Sequence, residues 1–295
     1  MSGPILVTGG GGQIGGELAD RSADVVAVDL DEYDITDPAS VERMIGARDW
    51  AAVINCAAYT AVDKAEGDIA TAWSVNATAP ALIAHHTAKR GIPMLHVSTD
   101  YVFEGSSAIP YRPDDRTGPL GVYGASKLGG EIAVASANPR HAILRTAWVV
   151  SARGDNFIKT MRRFGRERDL MKVVADQHGC PTSAADIADT LLAMGKRMAK
   201  PGAPAGIWHF VNAGAATWHD LAEAVFADLE RREGRRPVLE AITTADYPTP
   251  ARRPAYSRLD TGTLTRDFGI VPRPWQDAVA DIFDALARID APAAG

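Results

Sequence analysis

Tyr123-Gly124-Ala125-Ser126-Lys127 sets a phenol and an ammonium four residues apart. On a helix that spacing brings both side chains to one face. A free phenol titrates near ~10, too high to exchange protons freely at neutral pH. A neighbouring ammonium and the positive charge of an oxidised nicotinamide would favour phenolate and lower that value. In the reducing direction the phenol would protonate a carbonyl oxygen as hydride reaches the carbon, while Lys127 tunes the phenol and holds the nicotinamide ribose. Alone, this spacing recurs as an ordinary exposed helix pair. Ser98-Thr99-Asp100 makes it more specific, because it ends an apolar run, and parallel sheets bind ligands at the carboxyl ends of their strands. Thr99 could then share the substrate oxygen; its alternative role is a capping hydroxyl.

A second constellation follows the first apolar run, Thr8-Gly9-Gly10-Gly11-Gly12-Gln13-Ile14-Gly15. Read as GxxGxxG, it assigns Gly9 to a bend, Gly12 to phosphate approach and Gly15 to helix packing. The free amides of the next helix would face a pyrophosphate. A merely flexible loop is the alternative, weakened by the placement between a strand and a helix. Asp29 ends the second run, where a carboxylate can bond ribose hydroxyls and repel a 2'-phosphate, which leans towards NADH. It could equally belong to the acidic surface run Asp29–Asp34. The expected cofactor is NADPH or NADH.

Positioning these groups takes alternating strands and helices. Strands are expected at Ile5–Val7, Val25–Asp29, Ala52–Cys56, Pro93–Ser98 and Ala142–Thr146. Helices are expected from Gln13, from Pro38 with Asp37 as cap, over Ile69–Arg90 and over Tyr123–Ala137. Strands so apolar are covered on both faces, which gives an α/β fold with a doubly wound, Rossmann-like parallel sheet. Beyond Thr146 the rhythm loosens. Helices are expected at Asn156–Arg166, Ser183–Met198, Thr217–Arg232 and Trp275–Arg288, and strands at Lys172–Val174 and Ile207–Val211, with the Pro-rich connector Ala245–Pro254. Residues 1–150 read as the dinucleotide-binding domain. Residues 151–295 read mainly as a smaller α/β substrate-binding domain, with some segments returning to the sheet. Asp290–Gly295 reads as a frayed tail.

Composition narrows the class. With 295 residues and 46% hydrophobic content the chain can bury a sizeable core. A net charge of -6 gives no basic field for nucleic acid. Cys56 and Cys180 are too few and too far apart for a disulfide framework, and the seven histidines lack metal-ligand spacing, so no metal is expected. No apolar stretch reaches bilayer length. The first residues lead straight into a strand, and the cytoplasm is the expected compartment.

Taken together, these residues resemble the extended short-chain dehydrogenase/reductase superfamily and, within it, the dTDP-4-dehydrorhamnose reductase family. The carrying segments include Gly12–Gly15, Asp34–Asp37, Asn55–Glu66, Ser98–Phe103, Val122–Gly124 with Ser126–Leu128, Arg145–Trp148, Asp176–Gly179, Thr217–Asp220 and Tyr247–Pro254. The resemblance implies NAD(P)H-dependent reduction of a dTDP-linked 4-keto sugar. It implies that Gly12, Gln13 and Ile14 line the pyrophosphate, that Asp34 and Ile35 bracket the adenine, and that Ala58, Tyr59 and Thr60 run towards the nicotinamide. It further implies that Thr99, Asp100, Tyr123 and Trp148 meet the sugar nucleotide. Arg252–Arg253 could meet the diphosphate or form a surface loop. Some members make dimers bridged by magnesium; Glu17 matches one such position but Ala185 stands at another, so the metal is not carried over and a homodimer stays open.

Two rival readings remain at this point. One is a dehydratase or an epimerase that retains its NAD. A dehydratase would be expected to show Thr-Asp-Glu where this chain has Thr99-Asp100-Tyr101. The other is a non-catalytic subunit resembling the regulatory subunit of methionine adenosyltransferase, against which the intact Tyr123, Lys127 and Thr99 argue.

Overall fold

The computed structural model describes residues 3–290. Five strands open the chain, β1 (Ile5–Thr8), β2 (Val25–Val28), β3 (Ala52–Asn55), β4 (Met94–Thr99) and β5 (His141–Thr146). Among the later strands the longer three are β6 (Leu170–Val174), β7 (Gly206–His209) and β8 (Val238–Ile242), with two-residue strands between them. The main sheet is six-stranded and parallel throughout, in the order β2-β1-β3-β4-β5-β7. Its order reverses between β1 and β3, and the crevice beyond their carboxyl ends is where doubly wound sheets bind ligands.

Both faces are covered, as the apolar strands predict. Along β1, Ile5 and Val7 join a core with Leu18 of α1 (Gln13–Arg21) and with Ile187, Leu191 and Met194 of α8 (Ala184–Met198). Leu6, between them, points to the other face. It packs with Val41 and Met44 of α2 (Pro38–Gly46) and Ile83 of α5 (Ala79–Lys89). Fully burying each such side chain is worth about 1.5–3 kcal/mol. Asp37 caps α2 through the amides of Ala39 and Ser40, with Pro38 in the first turn. A third core, around Phe103, Ile158, Phe226 and Phe283, holds the later segments together. It packs α7 (Phe157–Glu167) and α9 (Trp218–Glu233) with α11 (Trp275–Asp290). Among the described residues no helix is long and apolar enough to cross a membrane.

Two differences from the sequence expectations have physical causes. The helix expected over Ile69–Arg90 is broken into α4 (Ile69–Trp73), a wide π-turn at Ser74–Thr78, and α5. Pro80 has no amide to donate back to Asn76, and the Asn76 side chain instead holds the Tyr59 backbone and Ser126 Oγ. Val238–Ile242, not anticipated as a strand, pairs in parallel with β6; much of it is exposed, so its sequence lacks the apolar signature of the sheet strands. From beyond residue 150, β7 and α8 join the main sheet and its core. The expected fraying of the tail falls, after Asp290, outside the described residues.

Candidate active site

The glycine turn folds by close approach. Gly9 has φ 75°, and a Cβ there would sit 2.7 Å from the Ala57 nitrogen. A Cβ on Gly15 would lie 2.0 Å from the Gly9 carbonyl oxygen, so glycine is what lets α1 pack against the turn. Gly12, the cap position of α1, meets only that same oxygen and otherwise faces open space; no side chain caps the helix. Uncapped amides beside an open cradle fit a phosphate group. Asp29 Oδ2 accepts from the Gly11 amide at 2.6 Å and Oδ1 from Leu30, tying the rim of the second strand to the turn. Asp34 accepts from the amide and hydroxyl of Thr36, which hold its carboxyl below the usual range. Ile35 beside it is buried.

A cleft of about 700 Å³ runs from this turn to the carboxyl ends of β4 and β5. Gly9, Gly12, Gln13, Ile14, Gly15, Asp29, Asp34, Ile35, Ala58, Thr60, Thr99, Asp100, Tyr123, Lys127 and Trp148 all line it. Tyr59 does not. Its amide donates to Asn76 Oδ1 and its hydroxyl to Asp68 Oδ2, so it braces the segment after β3. Arg253 is also elsewhere: its guanidinium forms a two-pronged pair with Asp63, at 3.0 and 2.7 Å, leaving its charge neutralised in a strap across the two halves. Arg253 is thus held by an ion pair, outside the residues that line the cleft.

The catalytic end is held by α6 (Val122–Ala137). Glu66 accepts from the Val122 amide and closes the helix start. Gly124 lets the helix approach the Tyr101 carbonyl, where a Cβ would stand 2.1 Å away. Tyr123 is thereby brought to the end of β4, near Thr99. Thr99 Oγ1 donates to Asp100 Oδ1 at 2.9 Å and accepts from the Tyr101 amide. Lys127 is buried; its Nζ donates to the Val97 carbonyl at 2.7 Å and lies 3.5 Å from His96 Nε2. His96 is in turn met by Asn55, whose amide oxygen accepts from Thr8.

Burial governs the titrations here. It pushes the Tyr123 phenol up to about 12, against the lowering influence of the neighbouring Thr99 hydroxyl, while Asp100 adds to the rise. It brings Lys127 down to about 8, opposed by Glu131 and Cys56. Asp100 rises to about 6, again through burial. The expectation that a lysine ammonium lowers the phenol's pKa is therefore corrected: in the chain by itself desolvation dominates, and Tyr123 keeps its proton. Burial likewise pushes the thiol of Cys56, a half-buried residue that also lines the cleft, up to about 12, so it stays protonated.

Three buried polar atoms at this end, Ser98 Oγ, Asp100 Oδ2 and Thr146 Oγ1, have no partner among the described residues. All belong to cleft-lining residues. Buried polar groups normally have partners, so these fit a polar ligand. Sequence reasoning missed Ser98 and Thr146 as lining residues. It also missed Trp218, which stacks on Trp148 with ring centroids 3.7 Å apart. The one sequence signal for Trp218 is Thr217-x-x-Asp220, a capping box that places it in the first turn of α9. Glu17, matched above to a metal position, is engaged by Arg21, Arg153 and Ser151.

The family model described as the RmlD substrate binding domain matches residues 3–288. A dTDP-4-dehydrorhamnose reductase of Sinorhizobium fredii is 43% identical, covering 96% of this chain and 97% of its own length. Among solved structures, a dTDP-4-dehydrorhamnose reductase of Clostridium acetobutylicum superposes with a TM-score of 0.90 at 35% identity, covering 96% of this chain and 99% of that one. The Bacillus anthracis reductase, solved in complex with NADP, gives 0.89 at 30% identity, covering 97% of this chain and 100% of that one.

Proposed function

Since the chain belongs to the dTDP-4-dehydrorhamnose reductase family, we propose that it reduces dTDP-4-dehydro-L-rhamnose to dTDP-L-rhamnose with NADPH or NADH. The observation that carries this reading is the single cleft that joins the uncapped glycine turn to Tyr123, Lys127, Thr99 and three unpartnered buried polar atoms. The amides at the start of α1 would hold the pyrophosphate and Asp29 the adenosine ribose. When bound, the reduced nicotinamide supplies the hydride. Tyr123 holds the proton that the sugar oxygen needs, at a phenol whose pKa burial raises further above neutral pH. Thr99 orients that oxygen, and Asp100, Trp148 and Thr146 line the sugar side. Lys127, anchored on Val97, holds the nicotinamide ribose and resupplies the phenol's proton through it.

In this reading residues 1–150 bind the dinucleotide and 151–295 mainly the substrate, with β7 and α8 returned to the sheet. The enzyme works in the cytoplasm, and a homodimer is the assembly to look for by light scattering. The decisive assay gives purified protein dTDP-4-dehydro-L-rhamnose with NADH or NADPH in turn. Loss of nicotinamide absorbance together with formation of dTDP-L-rhamnose is expected. No consumption with either cofactor would sink the reading.

A further inference from the structure

Among the described residues, Trp148 is the sole non-glycine with positive φ, at 50°. For a bulky side chain that conformation is costly and persists only where the surroundings enforce it. The enforcement is visible. Its carbonyl accepts from the Thr182 amide, and the next residue pairs with Thr182 in a short parallel ladder. A Cβ added to Gly179 would lie 2.4 Å from Cε2 of the Trp148 indole, against 2.7 Å from Cζ2 and 2.8 Å from Nε1. The ring-fusion carbon is the nearest atom, with its two neighbours farther off, so Gly179 stands over the ring's face and not beside its edge. Trp218 stacks on the same indole with an interplanar angle of 9°. A ring on Gly179's side would be nearer to the added carbon than Trp148 is; only Trp148 atoms are nearest, so Trp218 covers the opposite face.

Trp218 is itself fixed. The Thr217–Asp220 capping box places it at the start of α9, its Nε1 donates to Gln177 Oε1 at 3.1 Å, and Gln177 Nε2 donates to Thr244 Oγ1. Phe157 leans on it at a centroid distance of 4.8 Å. The segments Asp176–Gly179 and Thr217–Asp220, prominent in the sequence and without a role so far, thus converge on one side chain.

We propose that Gly179 and Trp218 clamp Trp148 from both faces, so that the sugar nucleotide meets the indole's edge, with its N–H, and not its π-face. Stacking of a nucleobase on Trp148 is then excluded, and the clearance at the sugar is set by two positioning residues, Trp218 and Gly179. The inference deepens the sugar-nucleotide reading and rests on it for its ligand.

Two readouts test it. In the unliganded protein the stacked indoles give an exciton couplet in circular dichroism, lost in both Trp218→Leu and Trp148→Phe. In steady-state assays Trp218→Leu raises KM for the sugar nucleotide about tenfold, the scale of one lost aromatic contact, while KM for the reduced nicotinamide stays unchanged. Trp218→Phe, which keeps a ring on that face, restores most of the sugar KM. Gly179→Ala, whose methyl must displace the ring, shifts the sugar KM in the same direction as Trp218→Leu. A wild-type protein without the couplet overturns the clamp, as does Trp218→Leu with an unaltered sugar KM or with both KM values raised alike. If the protein reduces no 4-keto sugar nucleotide, the functional reading fails separately. The couplet then decides the clamp by itself, supporting it if present and overturning it if absent.

Discussion

At the glycine turn the cleft is made of backbone, whereas at the ends of β4 and β5 it is made of buried and half-buried side chains. The first comes from one stretch, β1, the glycine turn and α1, with open space beside Gly12 and exposed carboxylates at the rim. The second draws Thr99 and Asp100 from the end of β4, Tyr123 and Lys127 from α6, Thr146 from β5, Trp148 just beyond it and Trp218 from α9. Only the second shifts its titrating groups far, because desolvation acts on charge and amides carry none. The difference separates binding from chemistry: one end grips by geometry, the other sets protonation.

Substitutions can break that separation or sharpen it. The largest expected effect is at Tyr123→Phe. Turnover should fall about a hundredfold or more, the usual scale for a lost general acid, with cofactor affinity intact by fluorescence titration. Near-normal turnover would remove the phenol from the mechanism. Gly15→Ala should do the reverse. Its methyl meets the Gly9 carbonyl, so α1 must shift, costing about 1–3 kcal/mol as overpacking does. Nicotinamide affinity and melting temperature should drop, while the sugar KM at saturating cofactor holds. An unchanged cofactor affinity would mean the turn does not grip by shape.

The smallest effect is a pH dependence at Asp100. Its folded pKa, about 6, stands above the ordinary carboxylate value, so the folded state binds the extra proton. The stability this gives is fully present below about pH 4 and is lost as pH rises through about 6. Asp100→Asn, which cannot ionise, should therefore match the wild type in melting temperature at pH 4 and exceed it by a few degrees at pH 8. A constant difference across that range would show that the carboxyl is not desolvated.

How much of this was legible in sequence follows the same divide. The glycine turn is local: Gly9 takes the bend and Gly15 the packing position that their spacing predicts, while Gly12 faces open space. Tyr123 and Lys127 share a helix, so their joint presence at the cleft was readable too. The surroundings that set their titrations were not. Lys127 meets Val97 and His96 from another element, and burial reversed the direction expected for the phenol. The Trp148–Trp218 stack joins residues seventy positions apart, and no periodicity encodes such a contact. Nor could spacing foresee that Arg253 pairs with Asp63. The π-turn at Ser74–Thr78 was hidden because helical sequence looks alike whether or not one turn is widened.

The placement of β7 bears on how the chain is made. The edge of β5 finds its neighbour only when residues 206–209 have left the ribosome, well after the five earlier strands. Until then β5, more deeply buried in the finished chain than the final edge strand β7, is itself the sheet edge and a template for pairing with other chains. A fragment cut near residue 150 would keep that edge uncovered for good, and should associate more readily than the whole chain.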